Sequence, residues 1–295
     1  MNIAPVSQTA ITSLMASELN SNQNSLTQLE LMLSSGQNIS QPSDNPSGIE
    51  QLLGVTTSQT RFTQYVANAQ SAMSVAQMAN STLNNALTVI QSARNTMIAA
   101  GGPGITPTSA VGLIDNLEGD MSSLLALANT AYQGNAIFAG TSGSTSAYDA
   151  AGNYVGSNVS PTTTVSPGFS APVTVTAPFG ATGSPSNVFT VIQKAISDLQ
   201  SGNYTAVSST DLGNLDTAFN GVTSAAATQG QYYQTLSTMQ QQATQALQSI
   251  QTQYGNLQNI NTAQVSTEYS QQLANYQVAL NVASKAVEPT LAQYI

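Results

Sequence analysis

The chain contains no cysteine, no histidine and no tryptophan, and only four basic residues: Arg61, Arg94, Lys194 and Lys285. Each absence excludes a class of function. Without cysteine there is no disulfide and no thiolate ligand for a metal; without histidine there is no imidazole ligand and no His-based acid–base chemistry. Four cations scattered over 295 residues make no basic stripe. That argues against recognition of nucleic acid through its phosphates and against an anionic membrane surface. Charge of either sign is scarce at 6%, with thirteen acids setting a net charge of −9. No run approaches the ~20 apolar residues that a membrane-spanning helix needs. The opening MNIAPVSQTAITSL lacks a basic n-region and a sustained apolar core, so it does not read as a cleavable secretory signal.

What the sequence does have is apolar residues at steps of four and three. Met15, Leu19, Leu26, Leu29 and Leu33 keep this spacing, with Asn22 as one polar position, and predict a helix over about residues 6–33. Phe62, Val66, Ala69, Met73, Ala76, Asn80, Leu83, Leu87, Ile90, Arg94 and Met97 continue it after a break, which predicts one helix of ~50 Å. Gly101-Gly102-Pro103-Gly104 stops that helix. A third segment carries Ile114, Leu117, Met121, Leu124, Ala128 and Ala131.

Residues 139–187 differ in kind, with seven glycines, five prolines and a single charged residue, Asp149. Val173–Thr176 alternates in the strand period, and the stretch reads as an insertion of four or five short strands. Helix returns over 188–199, with Val191, Ile192, Ala195, Ile196 and Leu199 on one face. The longest seam follows from Leu215 through Val222, Gln229, Leu236 and Leu247 to Leu257. A last helix, begun by Asn261 or Thr262, carries Tyr269, Leu273, Tyr276, Leu280 and Ala283. Leu83 and Leu247 are expected in the core. The fold class is mainly α: long heptad-patterned helices from both ends pair antiparallel as a coiled-coil or bundle rod, with a small β-rich insertion.

No set of residues forms a catalytic, cofactor-binding or metal-binding constellation. Asp115, Glu118 and Asp120 read as a solvated turn or an acidic first helical turn, and Asp211 and Asp216 read likewise. The stretch Asp149–Asn153 lacks the carboxylates and the closing Glu of a Ca²⁺ loop. A serine nucleophile would need lysine as its base, and Lys194 and Lys285 both fall on predicted helices. No enzyme, no cofactor and no metal are expected. Tyr276 and Tyr294 are candidates for subunit contacts, where tyrosine is favoured.

The joint between the first two helices is the most informative stretch. Gly36 stands where a helix closes with a left-handed residue, and Asn45 before Pro46 reads as an N-cap followed by proline at the first helical position. Leu33-Ser34-Ser35-Gly36, Ile39 and Ser43-Asp44-Asn45-Pro46-Ser47-Gly48 together resemble the N-terminal signature of the bacterial flagellin-like family, including its hook–filament junction branch. Gln37-Asn38 replace a usual Lys-Arg pair, and Asn45 replaces an Asp. Gly134-Asn135, Phe138-Ala139-Gly140-Thr141 and the ending Leu291-Ala292-Gln293-Tyr294-Ile295 extend the resemblance, which covers roughly residues 1–141 and 200–295.

The resemblance implies a structural subunit of the flagellum that joins hook to filament by self-assembly. It implies as partners further copies in a ring or tube, a hook-associated protein on the hook side, flagellin on the filament side, and an export chaperone. Nucleic acid and membrane are not among them. Export to the extracellular flagellum would proceed through the type III apparatus without a cleaved signal. Filament flagellin itself is the alternative; a coiled-coil protein of another secretion system fits less well. The expected division is an assembly helix and joint at 1–45, the first half of the helical rod at 46–138 and the β-rich insertion at 139–187. The second half of the rod follows at 188–260, and a C-terminal assembly helix at 261–295. The joint residues Ser34, Ser35, Gly36, Ser43, Asp44, Asn45, Pro46 and Gly48 carry the signature. Leu19, Leu26, Leu33, Leu273, Tyr276, Leu280 and Tyr294 are the expected assembly seams.

Overall fold

Long stretches of Ala, Gln, Leu, Met and Ser favour helix, and glycine or proline interrupts them only at intervals. The computed structural model describes residues 8–39, 41 and 45–287. Its elements in chain order are α1 (Gln8–Ser35), α2 (Pro46–Ala100), α3 (Pro107–Ala128), β1 (Ala131–Tyr132), β2 (Asn135–Ala136), β3 (Thr162–Ser166) and β4 (Phe169–Pro172). They continue with α4 (Val188–Gln200), the single turn α5 (Tyr204–Ala206), a π turn at Val207–Asp211, α6 (Leu212–Gln258) and α7 (Thr262–Val287). The fold is mainly α with a small β-containing part. The chain divides into two units, Met1–Thr60 with Leu247–Ile295, and Arg61–Ala246.

In the larger unit the buried faces of the long helices repeat every seven residues. Ala69, Ala76, Leu83, Ile90 and Met97 of α2 are buried, as are Leu215, Val222, Gln229, Leu236 and Ala243 of α6. The companion row read from the sequence on α2, Val66, Met73, Asn80, Leu87 and Arg94, is only half-buried. A row of alanines is buried instead: Ala72, Ala79, Ala86, Ala93 and Ala100. Alanine marks a seam weakly in sequence, but its small side chain lets a neighbouring element come close. Four of these alanines share one core with Leu117, Leu124 and Ala128 of α3 and Leu215, Ala218 and Val222 of α6. Leu83 is fully buried, whereas Leu247 is half-buried. The buried clusters reach along α6 only to Leu236, so Leu247 lies beyond the elements that cover the core.

The insertion holds fewer strands than its composition suggests. β3 and β4 pair antiparallel, with Thr163 opposite Ala171 and Thr164 opposite Ser170, and a bulge follows before Ser166 meets Phe169. Tyr148 and Tyr154 form an isolated bridge. β1 and β2 are a two-residue pair that precedes the insertion, and Ala131 belongs to it and not to the third helix. Val173–Thr176 is not a strand, and its chain bends at Thr174 and Thr176. Its backbone is met by a side chain: Gln229 Oε1 accepts from Val175 N at 3.0 Å, and Gln229 Nε2 donates to Val173 O at 2.9 Å. One glutamine amide thus stands in for a neighbouring strand, deep in the seam of α6.

Two further contacts set the hairpin against the helices. Val165, Ala171 and Val173 pack on Ala69, Ala72, Ala76 and Leu236, and Asn68 Nδ2 donates to Thr164 O at 2.9 Å. The rest of the insertion is organised by aromatic rings. Tyr148 lies 5.7 Å from Phe179 and 5.2 Å from Phe189 between ring centres. Its hydroxyl donates to Gly180 O and accepts from Phe179 N, which satisfies a polar group that burial would otherwise penalise. α4 presents Val191, Ile192, Ala195, Ile196 and Leu199 to this core, all buried, as its spacing predicts.

Candidate assembly surface: the terminal helix pair and its joint

α1 and α7 pack against each other as an antiparallel pair. Among the described residues only Leu26 of α1 and Val265 of α7 are buried in the seam; Met15, Leu19, Asn22, Leu29 and Leu33, and Tyr269, Gln272, Tyr276, Ala279 and Ala283, are half-buried. Two helices alone cannot enclose a seam, so it remains partly wet. Polar groups therefore cross it at low cost. Gln272 Nε2 donates to Asn22 Oδ1 at 2.9 Å, and Tyr269 Oη donates to Glu30 Oε1 at 2.9 Å. The Glu30 carboxylate pushes the Tyr269 phenol above its ordinary pKa.

Leu273 and Leu280 do not lie in this seam. The α7 positions turned toward α1 run 265, 269, 272, 276, 279, 283, so Gln272 and Ala279 take the places that apolar spacing assigns to the two leucines. Leu273 is 37% exposed and Leu280 44%, with Val278 at 62% and Val282 at 52%. At 100° per residue the two leucines fall on one flank of the seam and the two valines on the other. Ile11, Leu14 and Leu31 of α1 are exposed too. Between the helices open two grooves, of about 500 Å³ beside Leu29 and Met32 and about 310 Å³ beside Met15, Val278 and Val282.

The joint ties the ends of this pair together. Gly36 adopts φ +70°, and its N–H closes on Met32 O at 2.9 Å. The chain then pairs with the α6–α7 connection: Asn38 N donates to Gln258 O at 2.7 Å, and Ile260 N donates to Gly36 O at 3.2 Å. Only the backbones of Gln37 and Asn38 take part in this pairing and their side chains are exposed, so replacing a Lys-Arg pair leaves it intact. Asn45 Oδ1 accepts from Gly48 N at 2.9 Å and from Ser47 Oγ at 3.3 Å, and caps α2 ahead of Pro46. Gly48 is buried under Ile39; a Cβ there would stand 2.7 Å from Ile39 Cδ1 and from Asn45 Nδ2. Ser34 and Ser35 are exposed at the end of α1, and Ser35 Oγ accepts from Gln37 N at 3.2 Å. Asn261 caps α7, its Oδ1 accepting from Gln264 N at 3.3 Å. Ser43, Asp44 and Tyr294 lie outside the described residues.

The acidic groups elsewhere are placed differently from their sequence reading. Asp115, Glu118 and Asp120 lie in the middle of α3 and not in its first turn. The helix starts earlier because Thr106 and Ser109 form a capping box around Pro107, a signal present in the sequence as Thr-Pro-Thr-Ser. Asp115 and Glu118 are exposed, while burial raises the Asp120 carboxyl against a hydrogen bond from Ser92. Asp149 spends its carboxylate on its own loop, accepting from Ala151 N, Asn153 N and Asn153 Nδ2, which holds it below the usual carboxylate range. Asp216 pairs with Arg94 at 2.6 Å. Asp211, read as solvated, is only 2% exposed. Among the described residues no three His, Cys, Asp or Glu side chains are placed to hold a metal ion, and no helix is long and apolar enough to cross a membrane.

Comparison with known proteins shows what this arrangement is similar to. Residues 6–143 match the bacterial flagellin N-terminal helical region. The chain is 30% identical over 132 residues to flagellar hook-associated protein 3 of Salmonella typhimurium, a match that spans 44% of this chain and 42% of that relative. Among solved structures, one from Vibrio parahaemolyticus named as a flagellar hook-associated protein superposes with a TM-score of 0.66 at 21% identity, over 73% of this chain and 100% of that one. A flagellar junction protein from Legionella pneumophila gives a TM-score of 0.55 at 14% identity, over 70% and 99%. Residues 6–143 therefore resemble the bacterial flagellin N-terminal helical region, in a chain that shares the fold of the solved flagellar hook-associated proteins and spans less than half the length of the curated relative it matches.

Proposed function

We propose that the chain is a structural subunit of the bacterial flagellum that joins hook to filament, and that it acts by helix packing between copies and not by chemistry. The observation that carries this reading is the placement of exposed apolar residues. Of thirteen large apolar side chains exposed among the described residues, seven lie on α1 and α7. A solvated two-helix pair gains nothing from Leu273, Val278, Leu280 and Val282 in water; a neighbouring helix against them would bury about 25 cal/mol of stabilisation per Å². The grooves beside Met32 and Val282 offer the hollows into which such a helix would set its ridges. In this reading Leu19, Leu26, Leu33 and Tyr276 hold the pair, and Leu273, Leu280 and Tyr294 meet neighbours.

The partners are further copies of the chain, a hook-associated protein on one side and flagellin on the other, reached by export to the outside of the cell. The test is electron microscopy of flagella from a strain deleted for this chain. Hooks without filaments are expected, with filaments restored by the wild-type chain. A Val278→Asp, Leu280→Asp double variant should be exported and folded yet fail to restore them. Normal filaments in the deletion strain, or full restoration by the double variant, would overturn the reading.

A further inference from the structure

A second feature is independent of assembly and lies where α4 meets the π turn. Asp211, the last residue of that turn, and Asp198 of α4 are 2% and 8% exposed. Their carboxyl groups act on each other, and the α4 and π-turn segments that carry them pack together. The donors present all serve Asp198: Lys194 Nζ one turn earlier on α4, and the Asn203 side chain from the intervening loop. Asp211 Oδ2 is buried with no partner. The other charged groups near this stretch are committed elsewhere, since Asp216 is paired with Arg94 of α2. From the end of α2, Gly101 packs on Ser208 and brings no charge.

An ionised Asp211 would leave its buried Oδ2 an acceptor without a donor, close to a second anion. A protonated Asp211 has what the site lacks, an O–H aimed at the Asp198 carboxylate. We propose that in mildly acidic solution Asp211 is held as a neutral acid that donates its proton to Asp198, and that this one shared proton fastens the π turn to α4. The π turn widens the helix by one residue at this point, which turns Asp211 inward. Burial and the neighbouring carboxylate push Asp211 up to about 6, while Lys194 holds Asp198 below the usual range.

The pH dependence follows in sign. Asp211 has a raised folded pKa, so its contribution is complete below the unfolded carboxyl value of about 4 and is lost as pH rises toward about 6. Asp198 acts in the opposite sense and in a lower window. Its contribution is present above about 4 and is lost as pH falls through its depressed folded pKa. Carboxyl-detected NMR titration of the full ¹³C-labelled chain tests the pair directly. Asp211 is expected to titrate well above Asp198, near 6. Thermal melts supply the second arm. Asp211→Asn keeps a donor to Asp198 without a titrating proton, so it should lack the loss of stability between about pH 4 and 6. In the wild type that loss is at least about tenfold in the folding equilibrium. Asp198→Asn should bring Asp211 back toward its ordinary value. Titration of wild-type Asp211 at or below about 4, or an unchanged pH step in Asp211→Asn, would overturn the proposal.

Discussion

The terminal pair α1/α7 and the central bundle are built from the same pattern with opposite outcomes. Both carry apolar residues at steps of four and three. In the bundle, α2, α3, α4 and α6 surround one another, and whole heptad rows are removed from water. In the terminal pair two helices face each other, the seam is half-buried, and apolar residues on the flanks are exposed. A heptad therefore reports which residues face a neighbour, and the number of neighbours decides how far they are buried. Polar seam residues show the same contrast. Gln229 in the bundle is 0% exposed and bonded to Val173, Val175 and the Ala76 carbonyl, whereas Asn22 in the terminal pair meets Gln272 at a wet edge.

The contrast is broken most strongly at Leu83. Leu83→Ala, in a fully enclosed row, should cost about 2–5 kcal/mol, and Leu247→Ala, half-buried on α6, should cost clearly less in the same denaturant melts. Equal losses would mean that the bundle core extends past Leu236. Gln229→Ala comes next, at about 1–3 kcal/mol, because the Val173 carbonyl and the Val175 amide lose their partner. Hydrogen exchange at Val175 should rise by more than at Thr163, which β4 still pairs. A smaller effect is expected at the joint. Gly48→Ala must displace Ile39 or the Asn45 cap, for about 1–2 kcal/mol of overpacking. It should be read as lost protection at Gly36 and Asn38 with the bundle unchanged. The smallest effect belongs to the exposed flanks: Val278→Asp with Leu280→Asp should leave the monomer melt within about 0.5 kcal/mol while abolishing assembly. A large drop in the melt would show that these residues already stabilise the monomer.

Legibility in the sequence followed the range of each interaction. Local rules act over a few residues, and they were readable. Gly36 as left-handed cap, Asn45-Pro46 as helix start, Gly101-Gly102 as helix stop and the buried face of α4 all stand where spacing and cap chemistry put them. The Thr106–Ser109 capping box was equally local and was passed over, which misplaced the acids of α3. Burial partners were not readable. Apolar spacing picked Leu273 and Leu280 for a seam that Gln272 and Ala279 occupy, since the choice between adjacent phases is made by the facing helix.

By itself, then, the sequence determined the mainly helical class, the helix boundaries set by capping, the long seams and the signature joint, because each is written in neighbouring residues or a fixed period. Tertiary structure alone decided the rest. It buried the alanine row of α2 by bringing other helices close, and met the backbone of Val173 and Val175 with the Gln229 side chain. It also buried Asp211, which reads as solvated in sequence, close to Asp198 thirteen residues away. Those outcomes depend on which surfaces meet, and no periodicity within one segment encodes its neighbour.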